Sequence, residues 1–174
     1  KKADDVDAYI ASTFYAADRY ASYKTEWEDF YQEGGIVIAD RYTTSNMVHQ
    51  ASKMDDIEER ASFLDWLDQY EYGLYKLPRP REVYFLDVPV DVSQDLIRDR
   101  KNKFTNESQK DIHESDKDYL VKTYENSKFV ADKYQWHIVK CIDQDRNMRS
   151  VDQIHEEIYT RVIFAIESKK KDFK

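Results

Sequence analysis

The chain has 174 residues, enough for one domain around one core. It is 41% hydrophobic and 36% charged with a formal net charge of −8, which disfavours non-specific contact with nucleic acid or an anionic membrane, since both reward a basic face. A single cysteine, Cys141, excludes an internal disulfide and points to a reduced, cytoplasmic setting; no apolar run approaches the roughly 18 residues of a membrane span, and the first residues lack the apolar core of a signal peptide.

In chain order, residues 5–33 read as one long helix. Asp4 or Asp5 can cap it, and Val6, Tyr9, Ile10, Thr13, Phe14, Ala17 and Ala21 recur at helical spacing. Gly34-Gly35 should stop it. Ile36 to Ala39 is a short, continuously apolar run, as expected of a strand buried on both faces of a parallel sheet. A polar turn and a short helix near 45–52 follow. A second long helix spans about 55–72, with Ile57, Ala61, Leu64, Leu67 and Tyr70 toward the core. Gly73 ends it, and Pro78 and Pro80 mark a connection.

Val83 to Leu86 is the next strand. A helix over 91–100 follows it. Residues 101–113 are polar and nearly without apolar side chains, as in a mobile loop. A helix over 115–134 and a strand over 137–142 come next. Ser150 to Gln153 matches a capping box that opens a final helix carrying Val151, Ile154, Ile158, Val162 and Ile166. The lysine-rich end from Ser168 is expected to fray. Strands separated by helices predict a single α/β domain built on a parallel sheet, with no internal boundary and no repeat.

Ligands of open parallel sheets bind beyond the C-terminal ends of the strands. Asp40, Arg41, Tyr42, Thr43, Thr44, Ser45 and Asn46 are therefore the first suspects. A carboxylate beside a guanidinium can hold a hydrated metal ion next to a phosphate, and the arginine fork suits phosphate oxygens. Satisfying nearby backbone or surface charge is the plainer use of the same pair. Tyr15 and Arg19, four apart, share a helix face and could stack on a base and read its edge; a core aromatic with a solvated arginine is the commoner outcome. The 101–113 loop, with Lys101, Lys103 and Lys110 after Arg98 and Arg100, could bring cations over a moving phosphoryl group, or be a solvated surface loop. His49 and His113 lack metal-ligand spacing. Cys141 reads as inert core.

Taken together, the stretches Phe14 to Arg19, Gly34 to Ser45 running on to His49 and Gln50, Pro80 with Tyr84 to Pro89, and Lys110 to Glu114 with Tyr119-Leu120 resemble the thymidylate kinase family. The strand followed by Asp40-Arg41-Tyr42 and then Ser45 is the most specific piece. The resemblance covers most of the chain. It implies a three-layer P-loop kinase fold, a parallel sheet flanked by helices, and transfer of the ATP γ-phosphate to dTMP with Mg²⁺ as cofactor. By that match Asp40 stands near the magnesium, through water, and near the reacting phosphates. Arg41 holds the acceptor phosphate. Tyr15 takes the position of the ring that stacks on thymine, and Arg19 reads the thymine edge. Ser45, Asn46, His49 and Gln50 line the base and sugar pocket, with Asn46 and His49 differing from the residues common there. Arg100 and Lys110 flank the lid-like segment. A homodimer formed across the long aromatic-rich helices is also implied.

One family element is absent from the sequence. There are only three glycines, and no Gly-x-x-x-x-Gly-Lys-Ser/Thr occurs. That loop supplies the backbone cradle and the lysine for the ATP phosphates. A chain without it is expected to be inactive by itself, and an N-terminal strand and loop are expected to precede these residues. A deoxynucleoside kinase, or a non-catalytic nucleotide-binding module of the same fold, are the alternatives.

Overall fold

A computed structural model describes residues 6–99 and 117–171. It is mostly helical, with a two-stranded parallel sheet. The chain forms two compact units. The first comprises Lys1–Arg79 with Glu107–Val130, and the second Pro80–Asn106 with Ala131–Lys174.

The first unit opens with α1 (Ala8–Ser22), capped by the Asp7 side chain, which accepts from the Ile10 N–H at 3.1 Å. The helix widens into a π turn over Tyr23–Trp27 and continues as α2 (Glu28–Gln32). Its end is the glycine stop the sequence predicts. Gly34 has φ +92, a left-handed angle that glycine adopts without a Cβ penalty. A Cβ on Gly35 would stand 2.4 Å from the Phe30 ring.

Helices α3 (Thr43–His49) and α4 (Ile57–Asp68) follow, joined by a 3-10 turn over Ala51–Lys53. Asp56 caps α4 by accepting from the N–H groups of Glu58 and Glu59. A second π turn, Gln69–Leu74, prolongs α4. The core is aromatic: Tyr9 meets Phe63 edge-on at 4.9 Å and Trp66 at 4.7 Å, and Trp66 stacks on Tyr70 at 5.0 Å. Phe63, Leu64 and Leu67 are buried there. Helix α6 (Lys117–Lys133) packs on this unit through polar side chains. Asn126, fully buried, donates to the carbonyls of Met47 and Val48 at 3.0 and 2.7 Å.

The inner face of α1 differs from the expected one. Ala8, Ser12 and Ala16 are buried, while Ile10 and Phe14 are 55% and 72% exposed. Small residues four apart let a neighbouring backbone come close, and that closeness decides which face turns inward. In the same way Ile57 lies outside the core of α4.

Ile36 to Ala39 is a larger correction. The run is not a strand, and Ile38 is 86% exposed. An apolar run becomes a buried strand only when neighbouring strands take its N–H and C=O groups. Among the described residues none lies beside it. The sheet consists of β1 (Tyr84–Asp87) and β2 (His137–Lys140) alone, in the second unit. Three layers around a wider sheet are therefore not what the described residues form.

In the second unit β1 and β2 pair in parallel, Tyr84 opposite His137 through Asp87 opposite Lys140. Helix α5 (Val90–Asp99) follows β1. Val139 and Cys141 are buried, but Leu86 and Ile138 remain about half exposed, so these strands are not covered on both faces. Burial raises the Cys141 thiol pKa, as suits an inert core residue. Residues Ser150 and Gln153 exchange both bonds of a capping box, at 3.0 and 3.2 Å, and open α7 (Val151–Lys171). The helix continues past Ser168, where fraying was expected. Among the described residues no helix is long and apolar enough to cross a membrane.

Phe63→Ala should cost about 3–5 kcal/mol, the loss typical of a fully buried phenylalanine. Chemical denaturation would show it as a lowered midpoint; a loss below about 1 kcal/mol would remove Phe63 from the core.

Candidate functional site

Arg19 lies near the end of α1, just before the first π turn. Its Nε donates to Glu71 Oε2 at 2.8 Å and its Nη2 to Oε1 at 3.0 Å. This two-pronged bond fixes the plane of the guanidinium. The Tyr42 ring lies 5.7 Å from the guanidinium carbon, a cation–π contact. Glu71 is 1% exposed, so its charge is taken out of water and must be met by donors. Asn46 on α3 is the third donor: its Nδ2 bonds to Glu71 Oε1 at 3.0 Å and to the Ser12 carbonyl at 3.3 Å. The small inner face of α1 makes the second of these contacts possible.

Glu71 sits inside the π turn that prolongs α4. Such turns widen a helix by one residue per turn and are frequent at functional sites. Glu71 is not among the residues expected at the site from the sequence. A signal was present: it falls seven residues after Leu64 and four after Leu67, a carboxylate on the buried stripe of its helix.

Two tyrosines close the same region. The Tyr42 hydroxyl donates to the Pro78 carbonyl at 3.1 Å. Burial, with Tyr72 as the next cause, raises its pKa. Burial likewise pushes Tyr72 up to about 12, and its hydroxyl shares a hydrogen bond with Thr43. Both phenols therefore stay protonated and neutral at physiological pH.

The remaining predicted residues fall into three groups. Arg41 and Ser45 come together, Arg41 Nε donating to Ser45 Oγ at 3.3 Å. Arg41 has φ +66. A non-glycine residue in that region carries strain of order 1–3 kcal/mol, and such strain clusters at ligand clamps. Tyr42, next in sequence, carries this segment to the Arg19 guanidinium. Tyr15 lies one turn before Arg19, is 55% exposed and stacks on no other ring among the described residues.

Asp40 is exposed and, among the described residues, bonds to none of the other predicted site residues. Because Ile36 to Ala39 is not a strand, Asp40 and Arg41 stand on an irregular approach to α3 and not at a strand end. His49 turns its Nδ1 to the Tyr119 hydroxyl at 3.1 Å, with the rings nearly parallel. Gln50 is buried with its Oε1 unpaired, as is the Ser12 Oγ; such atoms are rare enough in native interiors to mark places of interest. Arg100, Lys110 and the lid-like segment 101–113 lie outside the described residues.

Among the described residues, no cluster of three histidine, cysteine or acidic side chains could hold a metal ion. In the second unit, an open groove along α7 is lined in part by Arg149, Glu157 and Arg161. Arg149 is already paired there with Glu157 at 2.8 Å, and none of the predicted site residues belongs to it. The network around Arg19 is the better-formed site.

Comparison with known proteins agrees with the motifs. The thymidylate kinase family profile matches residues 1–158. A probable thymidylate kinase of Staphylothermus marinus is 30% identical over 150 residues, which is 85% of this chain and 66% of that protein. Probable thymidylate kinases of Pyrobaculum aerophilum and Pyrobaculum calidifontis are 30% and 33% identical over 99 and 103 residues, 57% and 56% of this chain and 46% and 47% of theirs. The chain thus spans about half to two thirds of the length of these relatives. A family match that runs through α1, the Asp40-Arg41-Tyr42 segment, β1 and into the start of α7 leaves one conclusion: the chain belongs to the thymidylate kinase family.

Proposed function

We propose that the face shared by α1 and α3 binds dTMP as a phosphate acceptor, and that the protein serves transfer of the γ-phosphate of ATP to it, giving dTDP. The observation that carries this reading is the Arg19–Glu71–Asn46 network. A buried carboxylate aligns a guanidinium and an amide, both at positions the family motifs point to. Base edges are read by such paired polar groups.

In this reading Tyr15 stacks on the thymine ring and Arg19 donates to its edge. Arg41 holds the acceptor phosphate, and Ser45 holds Arg41. Asn46, His49 and Gln50 line the base and sugar side. Transfer spreads negative charge over the moving phosphoryl group, and Arg41, joined by Arg100 and Lys110 of the lid, would stabilise it electrostatically. The 174 residues contain no Walker A sequence, so no residue here is assigned to the ATP phosphates.

The residues suit magnesium held through water. Mg²⁺ commonly takes one or two carboxylates and keeps several waters and phosphate oxygens, and Asp40 is a single exposed carboxylate beside Arg41. The ion would neutralise phosphate charge. A homodimer has support in Ile10 and Phe14, two large apolar side chains left exposed on α1.

Thermal denaturation tests the acceptor. At a concentration 100-fold above its Kd, dTMP should add about 2.7 kcal/mol, several degrees for a chain of this size; dCMP and thymidine should add much less. Equal shifts from all three would contradict the site, and a shift from thymidine equal to that from dTMP would favour a nucleoside acceptor. Arg41→Ala should leave the circular dichroism unchanged and reduce the dTMP shift to the level of thymidine. An undiminished shift would remove Arg41 from phosphate binding.

A further inference from the structure

The Asn46 amide can face its neighbours in one way only. Both groups that its Nδ2 meets, the Ser12 carbonyl at 3.3 Å and the Glu71 carboxylate at 3.0 Å, are pure acceptors. The NH₂ end must point to them, and the oxygen end must point elsewhere. No described residue donates to that Oδ1. On Arg19, Glu71 occupies Nε and Nη2, and Nη1 has no protein partner among the described residues. With its bonds to Glu71 made, the pair keeps one donor, Arg19 Nη1, and one acceptor, Asn46 Oδ1, that no described residue satisfies.

That polarity matches one pyrimidine class. Thymine offers a carbonyl acceptor next to a ring N–H donor. Cytosine offers an amino donor next to a bare ring nitrogen, the reverse order. Against cytosine the guanidinium would meet the amino group and the amide oxygen would meet a lone pair. A site built on hydrogen bonds rejects the reversed partner strongly, because its polar groups are left unpaired.

We propose that Glu71 is the positioning residue that sets the preference of this site for a 4-oxo over a 4-amino pyrimidine monophosphate. It does so by fixing the guanidinium plane of Arg19 and the amide orientation of Asn46 without touching the base. Uracil presents the same edge as thymine, so the device sorts by the exocyclic group and is blind to the methyl. The π turn Gln69–Leu74 is what delivers the carboxylate to both partners. The inference rests on the reading of the α1–α3 face as the dTMP site.

Glu71→Gln separates the possibilities. It keeps the shape but replaces one acceptor oxygen with a donor. That donor opposes Arg19 or lets the Asn46 amide turn over. Calorimetric titration of the protein with dTMP and with dCMP gives the affinity ratio. The wild type should prefer dTMP, and in E71Q the ratio should fall by roughly 10- to 100-fold, with dCMP held as tightly as before or more so. A folded E71Q with a lower melting point but an unchanged ratio would make Glu71 merely structural and overturn the proposal. A wild type with no preference for dTMP would instead overturn the base-site reading itself. If E71Q does not fold by circular dichroism, Glu71→Asp keeps the charge but withdraws it by one methylene. A reduced ratio in that variant supports the proposal, and an unchanged ratio contradicts it.

Discussion

A carboxylate buried to 1% exposure constrains everything around it. Charge taken out of water must be matched by donors at close range, or the group is expelled or neutralised. Glu71 is matched by three bonds, two from Arg19 and one from Asn46. These tie the end of α1, the middle of α3 and the π turn after α4 into one arrangement. Removing either partner from a buried pair typically costs about 3–5 kcal/mol, because the remaining charge is stranded. The same bonds decide which atoms of Arg19 and Asn46 are taken up by the protein. In the proposed reading, stability and recognition depend on the same three side chains.

The surroundings serve that arrangement. The small residues Ala8, Ser12 and Ala16 bring the α1 backbone within reach of Asn46. Tyr42 covers the guanidinium and is anchored in turn by the Pro78 carbonyl. Arg79 lies over the Tyr72 ring at 4.1 Å and pairs twice with Asp68, so the aromatic wall has a charged backing. Asn126 of α6 anchors the last carbonyls of α3. Among the described residues of this unit, α1, α3 and the Tyr42 segment are each held by a side-chain bond to another element, as a preorganised site requires.

Much of this was legible in the sequence and some was not, for physical reasons. Helix positions followed from apolar periodicity, and the stops and starts from Gly34-Gly35 and the Ser150 capping box. The grouping of Tyr15, Arg19, Arg41, Ser45 and Asn46 came from family motifs; the structure joins Arg19 to Asn46 through Glu71 and Arg41 to Ser45, links that spacing alone does not reveal. Periodicity misjudged the inner face of α1, because it weighs large apolar residues and the contact uses small ones. It also made a strand of Ile36 to Ala39. Apolar runs mark what could be buried, while a strand needs a partner for its backbone. Glu71 went unnoticed because a single charge inside a helix reads as solvated. Its place on the Leu64–Leu67 stripe was the clue, and the π turn that aims it has no sequence signature.

The central claim is that Arg19 and Asn46, oriented by Glu71, face the acceptor base. A crystal structure of the protein with dTMP tests it most directly. The thymine carbonyl should lie within hydrogen-bond distance of Arg19 Nη1, with the ring N–H directed at Asn46 Oδ1. The Tyr15 ring should stack on the base, and Glu71 should still bridge both side chains. Thymine bound away from Arg19, or an Arg19 that leaves Glu71 to meet the ligand, would contradict it.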